Sequence, residues 1–265
     1  MGATALAQGA TGATGPMPLH PAQDHIYTFG SGYAGFTVAL SNHGTITKLE
    51  SPAGAEHVRD GLPDLTTREG YVLCYNRDGG SRVTAFDIGY RDSGGFGAAT
   101  WTSGAGLYML GRSVRQTSDG KLQLTNEFVW NRQRKLLTVK MKLTNLTGVV
   151  LTDVRIDRVI DLDMNGDSAD DTWIRSGSGF AALDNDGIGV FAASPGSSGI
   201  VEKLGSGAGE VPVFSDSTCG SNGNPPGVMA SIMPFKGDGM GKIEWVTPSL
   251  PGGGAVVRIV ELKRW

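Results

Sequence analysis

Leu136-Leu137-Thr138-Val139-Lys140-Met141-Lys142-Leu143 carries the clearest periodicity in the chain, with Leu137, Val139, Met141 and Leu143 alternating with Thr138, Lys140 and Lys142. A period of two sends successive side chains to opposite faces of an extended backbone, so the run predicts a strand with one buried and one wet face. Beyond the turn Asn145-Leu146-Thr147-Gly148, residues 149–160 resume the alternation, and Val154, Ile156 and Val159 are placed to share the core. On the N-terminal side, 106–115 and 122–130 read as a pair joined by Ser118-Asp119-Gly120.

The same grammar repeats across the chain. Residues 36–40 and 45–49 flank the turn Ser41-Asn42-His43-Gly44 as a first hairpin, and 71–75 and 82–88 flank an Asn-Arg-Asp-Gly-Gly turn. Further strands fit at 187–192, 228–234, 243–246 and 255–262, while 205–227 is a long Gly/Ser/Asn/Pro-rich stretch that reads as an extended surface loop. No helical period occurs, and 41 glycines with 12 prolines favour turns over helices. The expected fold is therefore all-β: one large antiparallel β-sandwich with long Gly-rich loops over 31–265, behind a flexible leader at 1–30.

A formal charge of −3 offers no cationic surface for phosphate backbones, which argues against a nucleic-acid partner. No apolar run is long enough for a membrane helix, so membrane insertion is not expected. Cys74 and Cys219 are too few and too far apart for a zinc ribbon, and leave open either one long-range disulfide or two buried thiols.

The densest chemical pattern is Asp161-Leu162-Asp163-Met164-Asn165-Gly166-Asp167, followed by Asp170 and Asp171. Oxygen-bearing side chains at every second position of a loop that turns at a glycine can converge on one hard cation, and five aspartates this close repel one another without one. Asp161, Asp163, Asn165, Asp167, Asp170 and Asp171 are thus candidate ligands of a structural Ca2+. The pattern matches the first half of an EF-hand loop, but Thr172 stands where the bidentate Glu would be, and no helix flanks it. The competing reading is a solvated turn.

Catalytic patterns are thinner. His20, His25, His43 and His57 all precede residue 60, so no serine-hydrolase order exists, and His43 falls in a hairpin turn. Glu69, Asp87, Asp92, Glu127 and Glu244 are the carboxylates a glycosidase would draw on, although sequence does not pair them. Tyr71, Tyr75, Tyr90, Trp101, Tyr108, Trp130, Trp173 and Trp245 could stack on sugar rings or simply fill the core. Asn145-Leu146-Thr147 is both a glycosylation sequon and a plausible hairpin turn.

Three stretches resemble the galactose mutarotase-like supersandwich family: 38–46 through Ser51-Pro52-Ala53-Gly54 as an opening hairpin, 137–161 as the central pair of long strands, and Leu250-Pro251-Gly252-Gly253 as a closing turn. In the epimerases of that family a catalytic histidine follows the second central strand and a late glutamate acts as base. Here that position reads Arg158-Val159-Ile160-Asp161-Leu162-Asp163, without histidine, and Glu244 lies close to the closing turn. Three expectations follow: a secreted or cell-surface, calcium-stabilised sandwich that binds carbohydrate or serves adhesion; a polysaccharide-active hydrolase or lyase using carboxylates with His57 or Tyr75; or a subunit that self-associates through exposed strands.

Overall fold

The computed structural model describes residues 25–31, 35–51, 56–58, 69–77, 80–89, 92–104, 108–164, 171–176, 179–195, 200–206, 219, 234–237 and 239–264. Among them the chain forms antiparallel strands and no α-helix, hence no helix able to cross a membrane. The expected strand at 228–234 and the loop at 205–227 lie almost wholly outside the described residues.

Three sheets are present. A four-stranded sheet runs in order β1 (His25–Phe29), β2 (Phe36–Leu40), β3 (Ile46–Glu50) and β4 (Glu56–Val58). A five-stranded sheet has the spatial order β15 (Ile200–Ser206), β17 (Gly239–Leu250), β11 (Leu151–Asp161), β5 (Glu69–Asn76) and β6 (Arg82–Asp87). The nine-stranded sheet reads β16 (Phe235–Lys236), β12 (Thr172–Ser176), β13 (Gly179–Leu183), β14 (Gly189–Ala193), β18 (Ala255–Arg264), β10 (Leu136–Asn145), β9 (Leu122–Asn131), β8 (Met109–Gln116) and β7 (Thr100–Ser103).

The alternation in β10 does what its period implies. Leu137, Val139, Met141 and Leu143 stand opposite Trp130, Phe128, Asn126 and Leu124 of β9 and bury against the facing sheet, where Leu73, Ile156, Ile243 and Trp245 belong to the same core. Each large apolar side chain removed from water this way contributes about 1.5–3 kcal/mol. The layers meet closely: a Cβ on Gly241 of β17 would lie 2.0 Å from the Phe180 ring of β13.

Two readings are corrected here. The long strands 136–145 and 151–161 do not form a hairpin: β10 pairs with β9 and β18, whereas β11 pairs with β5 and β17. The turn between them is a corner from one sheet to the other, held by Asn145. Its buried Nδ2 donates to the carbonyls of Val149, Leu250 and Pro251 at 2.8, 3.0 and 3.0 Å, and its Oδ1 accepts from the Thr147 N–H. The backbone is so close there that a Cβ on Gly252 would meet Gly148 at 2.5 Å. The sequon amide is thus buried and occupied as a corner lock.

The second correction concerns the leader, whose last part forms β1. His25–Phe29 pairs in register with β2, Tyr27 Oη donates to the Leu110 carbonyl at 2.6 Å, and Phe29 stacks on Trp130. Exposure alternates along the strand, which shows why it docks: Tyr27 and Phe29 turn to the core while Ile26 is left outside. Residues 1–24 lie outside the described ones.

Candidate functional site

Charged groups penetrate both faces of the five-stranded sheet. On the inner face, Arg158 of β11 takes the inward phase of Ile156 and Ile160, where it meets Glu69 of β5. Its Nε donates to Glu69 Oε1, Ile46 N–H donates to Glu69 Oε2, and Arg158 Nη1 reaches the Gly44 carbonyl at 3.3 Å. Both side chains are essentially inaccessible, at 0% and 1%. Burial holds the Glu69 carboxyl above its ordinary range, outweighing the opposing guanidinium.

From there the network rises toward the surface through Tyr71, which donates from Oη to the His43 carbonyl at 2.8 Å. Burial and the Asp87 charge push the Tyr71 hydroxyl above its ordinary range. Asp87, fully buried, contacts Arg115 Nη1 at 2.6 Å and His43 Nδ1 at 2.7 Å through Oδ2, and accepts the Gly89 N–H through Oδ1. Arg115 Nη2 also donates to Asp92 at 2.9 Å, and Arg115 Nε to the Gly97 carbonyl. A carboxylate on Nδ1 sets the ring as the Nδ1–H tautomer. Nε2 makes no hydrogen bond among the described residues, and the side chain is 34% exposed.

His43, Asp87 and Asp92 present ligand atoms within 4.8 Å of one another, the spacing a metal would need. Arg115, however, already supplies the positive charge between the two carboxylates. The arrangement acts instead as a rigid frame that aims one imidazole nitrogen and the part-exposed Asp92 carboxylate outward.

The opposite face holds a second cluster. Asp157 of β11 stands in register with Glu244 of β17, Lys242 Nζ lies 2.7 Å from Asp157 Oδ2, and Arg155 Nη1 donates to Glu244 Oε1 at 2.9 Å. Asp157, Lys242 and Glu244 are all buried beside Val72, Cys74, Val159, Ile88 and Cys219. A disulfide joins Cys74 to Cys219 across 145 residues, which decides between the two cysteine readings. At the rim, Asp153 sits at a β-bulge with φ 47° and receives Arg155 and Arg82.

Of the sequence candidates, the fold brings together Glu69, Asp87, Asp92 and His43, and sends Glu244 to the other face. Glu127 lies on the far side of the nine-stranded sheet opposite Arg112 and Lys140. His20, Tyr90 and the side chain of His57 fall outside the described residues. Tyr71, Tyr75, Trp130, Trp173 and Trp245 are core residues, Trp101 is half-buried and stacked on His25, and Tyr108 is exposed. The five core rings share the inward phase of their strands and are not offered to a ligand. In the acidic loop, Asp161 and Asp171 are buried at its feet, and Asp171 Oδ2 accepts the Met164 N–H at 3.0 Å. Asn165, Asp167 and Asp170 lie outside the described residues, and Asp161, Asp163 and Asp171 do not by themselves form a three-ligand group. Sequence reasoning passed over Arg115, Arg158, Asp157 and Lys242; the available signal was a charge occupying a buried-phase position of a strand.

A bacterial glucoamylase complexed with acarbose superposes on 94% of this chain with a TM-score of 0.61 at 12% identity. The chain thus resembles the galactose mutarotase-like supersandwich domains in fold. An α-N-acetylgalactosaminidase from Bifidobacterium bifidum in complex with GalNAc matches 90% of the chain at TM-score 0.50 and 12% identity. At such identities the likeness is one of fold alone. The chain spans about a third of each enzyme's length, 34% and 36%. No family model and no curated protein matches the sequence. Strand β11 ends at Asp161 and is followed by Leu162-Asp163, with no histidine, so the epimerase pattern expected from the resemblance is not reproduced.

Proposed function

We propose that this supersandwich binds carbohydrate without cleaving it and does so outside the reducing cytoplasm. The observation that carries the reading is the fold, which carbohydrate-active enzymes use for about a third of their length. Against hydrolysis stands the state of the carboxylates. A glycosidase needs two of them facing each other across a groove with room for sugar or water, whereas Glu69, Asp87, Asp157 and Glu244 are buried and charge-paired. His43 Nε2 and the outer edge of Asp92 offer two neighbouring acceptors of the kind that take hydrogen bonds from sugar hydroxyls. The disulfide supports an oxidising compartment, hence a secreted or cell-surface location.

The test is isothermal titration with a panel of neutral and N-acetylated oligosaccharides, run beside a reducing-end assay. Binding that His43→Ala weakens at least tenfold, with no reducing ends released, is the expected result. Release of reducing ends would make the chain a hydrolase, and silence across the panel would sink the sugar reading.

The acidic loop adds a structural Ca2+ held by Asp161, Asp163, Asn165, Asp167, Asp170 and Asp171. Its support is the ligand spacing and the way Asp171 draws the loop's two ends together through Met164. Thermal unfolding with EDTA, then with calcium or magnesium, tests it: the midpoint drops by several degrees, calcium restores it better than magnesium, and Asp163→Ala abolishes the response.

A further inference from the structure

The outer cluster has the composition and geometry of an amide-forming site. We propose that Lys242 Nζ and Asp157 Cγ condense into an intramolecular isopeptide bond, with Glu244 as the proton carrier. The reaction stitches the neighbouring strands β11 and β17 together covalently.

The amine is already in place, 2.7 Å from Asp157 Oδ2. Lys242 and Glu244 both lie within hydrogen-bonding reach of the Asp157 carboxyl, which has no backbone donor of its own among the described residues. Asp157 and Glu244 face each other in register, and their carboxyl oxygens approach within 4.8 Å. The surroundings are apolar and closed: Asp157 and Glu244 are 0% exposed, Lys242 is 1% exposed, and Val72, Val159 and Cys74 pack alongside.

Burial is what makes amine and acid reactive toward each other. In water they form an inert ammonium carboxylate. In a closed apolar site two charges are costly, and passing the proton from nitrogen to carboxylate leaves a nucleophilic amine and a carboxylic acid that can lose water. Consistent with this, burial raises the Asp157 carboxyl well above its ordinary range; Lys242 opposes the shift and the Glu244 charge adds to it. Arg155 holds Glu244 in place to carry protons.

The step balances without any co-reactant. The neutral Nζ adds to Cγ, forming the C–N bond; Glu244 takes a proton from nitrogen and delivers it to the departing oxygen; the C–O bond breaks and one water leaves. Nothing is oxidised or reduced. Fixed proximity of the two groups supplies the effective concentration such a condensation requires.

Intact-mass spectrometry of the full folded chain tests the proposal. The expected mass is that of the sequence, corrected for the two hydrogens lost in the disulfide, less one water. A tryptic digest then contains a branched peptide joining the segment holding Asp157 to the one holding Lys242. Lys242→Arg and Glu244→Gln, each checked for native circular dichroism, have the full mass. A wild-type chain that keeps the full mass after days in the folded, oxidised state overturns the proposal. So does a water loss that persists in Lys242→Arg, and a cross-link that forms undiminished in Glu244→Gln removes Glu244 from the mechanism. Should Lys242→Arg fail to fold, the wild-type peptide map decides.

Discussion

Arg158 and Asp157 are consecutive residues of β11, both at 0% exposure, and they face opposite sides of the same sheet. On the inner side Arg158 enters a network in which every carboxylate has both an opposite charge and a backbone donor: Ile46 N–H for Glu69, Gly89 N–H for Asp87, Gly94 N–H for Asp92. On the outer side Asp157 has the Lys242 charge and the Glu244 carboxyl beside it but no backbone donor among the described residues. The first arrangement pins the β2–β3 turn onto the sandwich and presents His43. The second keeps its groups close and unsettled, the condition for chemistry between them. Burial alone therefore says little about what a charge does; the completeness of its hydrogen bonding decides whether it acts as a strut or a reactant.

The largest effect that bears on this contrast is expected from the inner side. Arg158→Ala leaves Glu69 buried and uncompensated and costs about 3–5 kcal/mol of folding stability, read by chemical denaturation. A loss below about 1 kcal/mol would show that the inner network is not the strut described here.

Next comes the disulfide that covers the outer side. Replacing both Cys74 and Cys219 by Ser costs about 2–4 kcal/mol, and hydrogen exchange speeds up at Val72 and Val159 while the inner-face core around Met141 stays protected. Equal loosening of both faces would erase the distinction between them.

Asn145 belongs to neither face and gauges the corner between sheets. Asn145→Ala strips the donor from three carbonyls and costs about 2 kcal/mol, whereas Thr147→Val, which leaves those bonds in place, costs less than half of that. Similar losses in the two variants would mean that the asparagine is not the lock.

The smallest effect belongs to the exposed rim of the outer face. Burial pushes the Asp153 carboxyl up, but hydrogen bonds from Arg155 and Arg82 outweigh it and hold the group below its ordinary range. Its stabilisation is present above the ordinary carboxylate range and disappears as the pH falls through the folded-state value. Asp153→Asn therefore lowers stability by less than about 1 kcal/mol at neutral pH, less again in high salt, and not at all in strong acid. A difference that grows as the pH falls would reverse the assigned sign.

Much of the scaffold was legible in the residues. The period of two in 136–143 and the hairpin turns at 41–44 and 118–120 depend on neighbours a few positions apart, and β10, the β2–β3 pair and the β8–β9 pair stand where those signals put them. Strand β1 was hidden because HIYTF follows a Gly-rich stretch and gains its reason to be a strand only from β2 and Trp130. The candidate site was less legible. Asp87, Asp92, Glu69 and Glu244 could be named but not grouped, since their partners Arg115, Arg158 and Lys242 come from other strands.

What the sequence by itself determined is the strand character of its segments and the inward phase of their side chains, because both follow from backbone geometry over a few residues. Which strands became neighbours, that β10 and β11 part at Asn145 into different sheets, and which face of β11 meets His43 and which meets Lys242, only the tertiary structure decided. Those outcomes depend on packing and hydrogen bonds between residues as far apart as Asn145 and Leu250 or Asp157 and Lys242, and a local pattern carries no record of the partner it will meet.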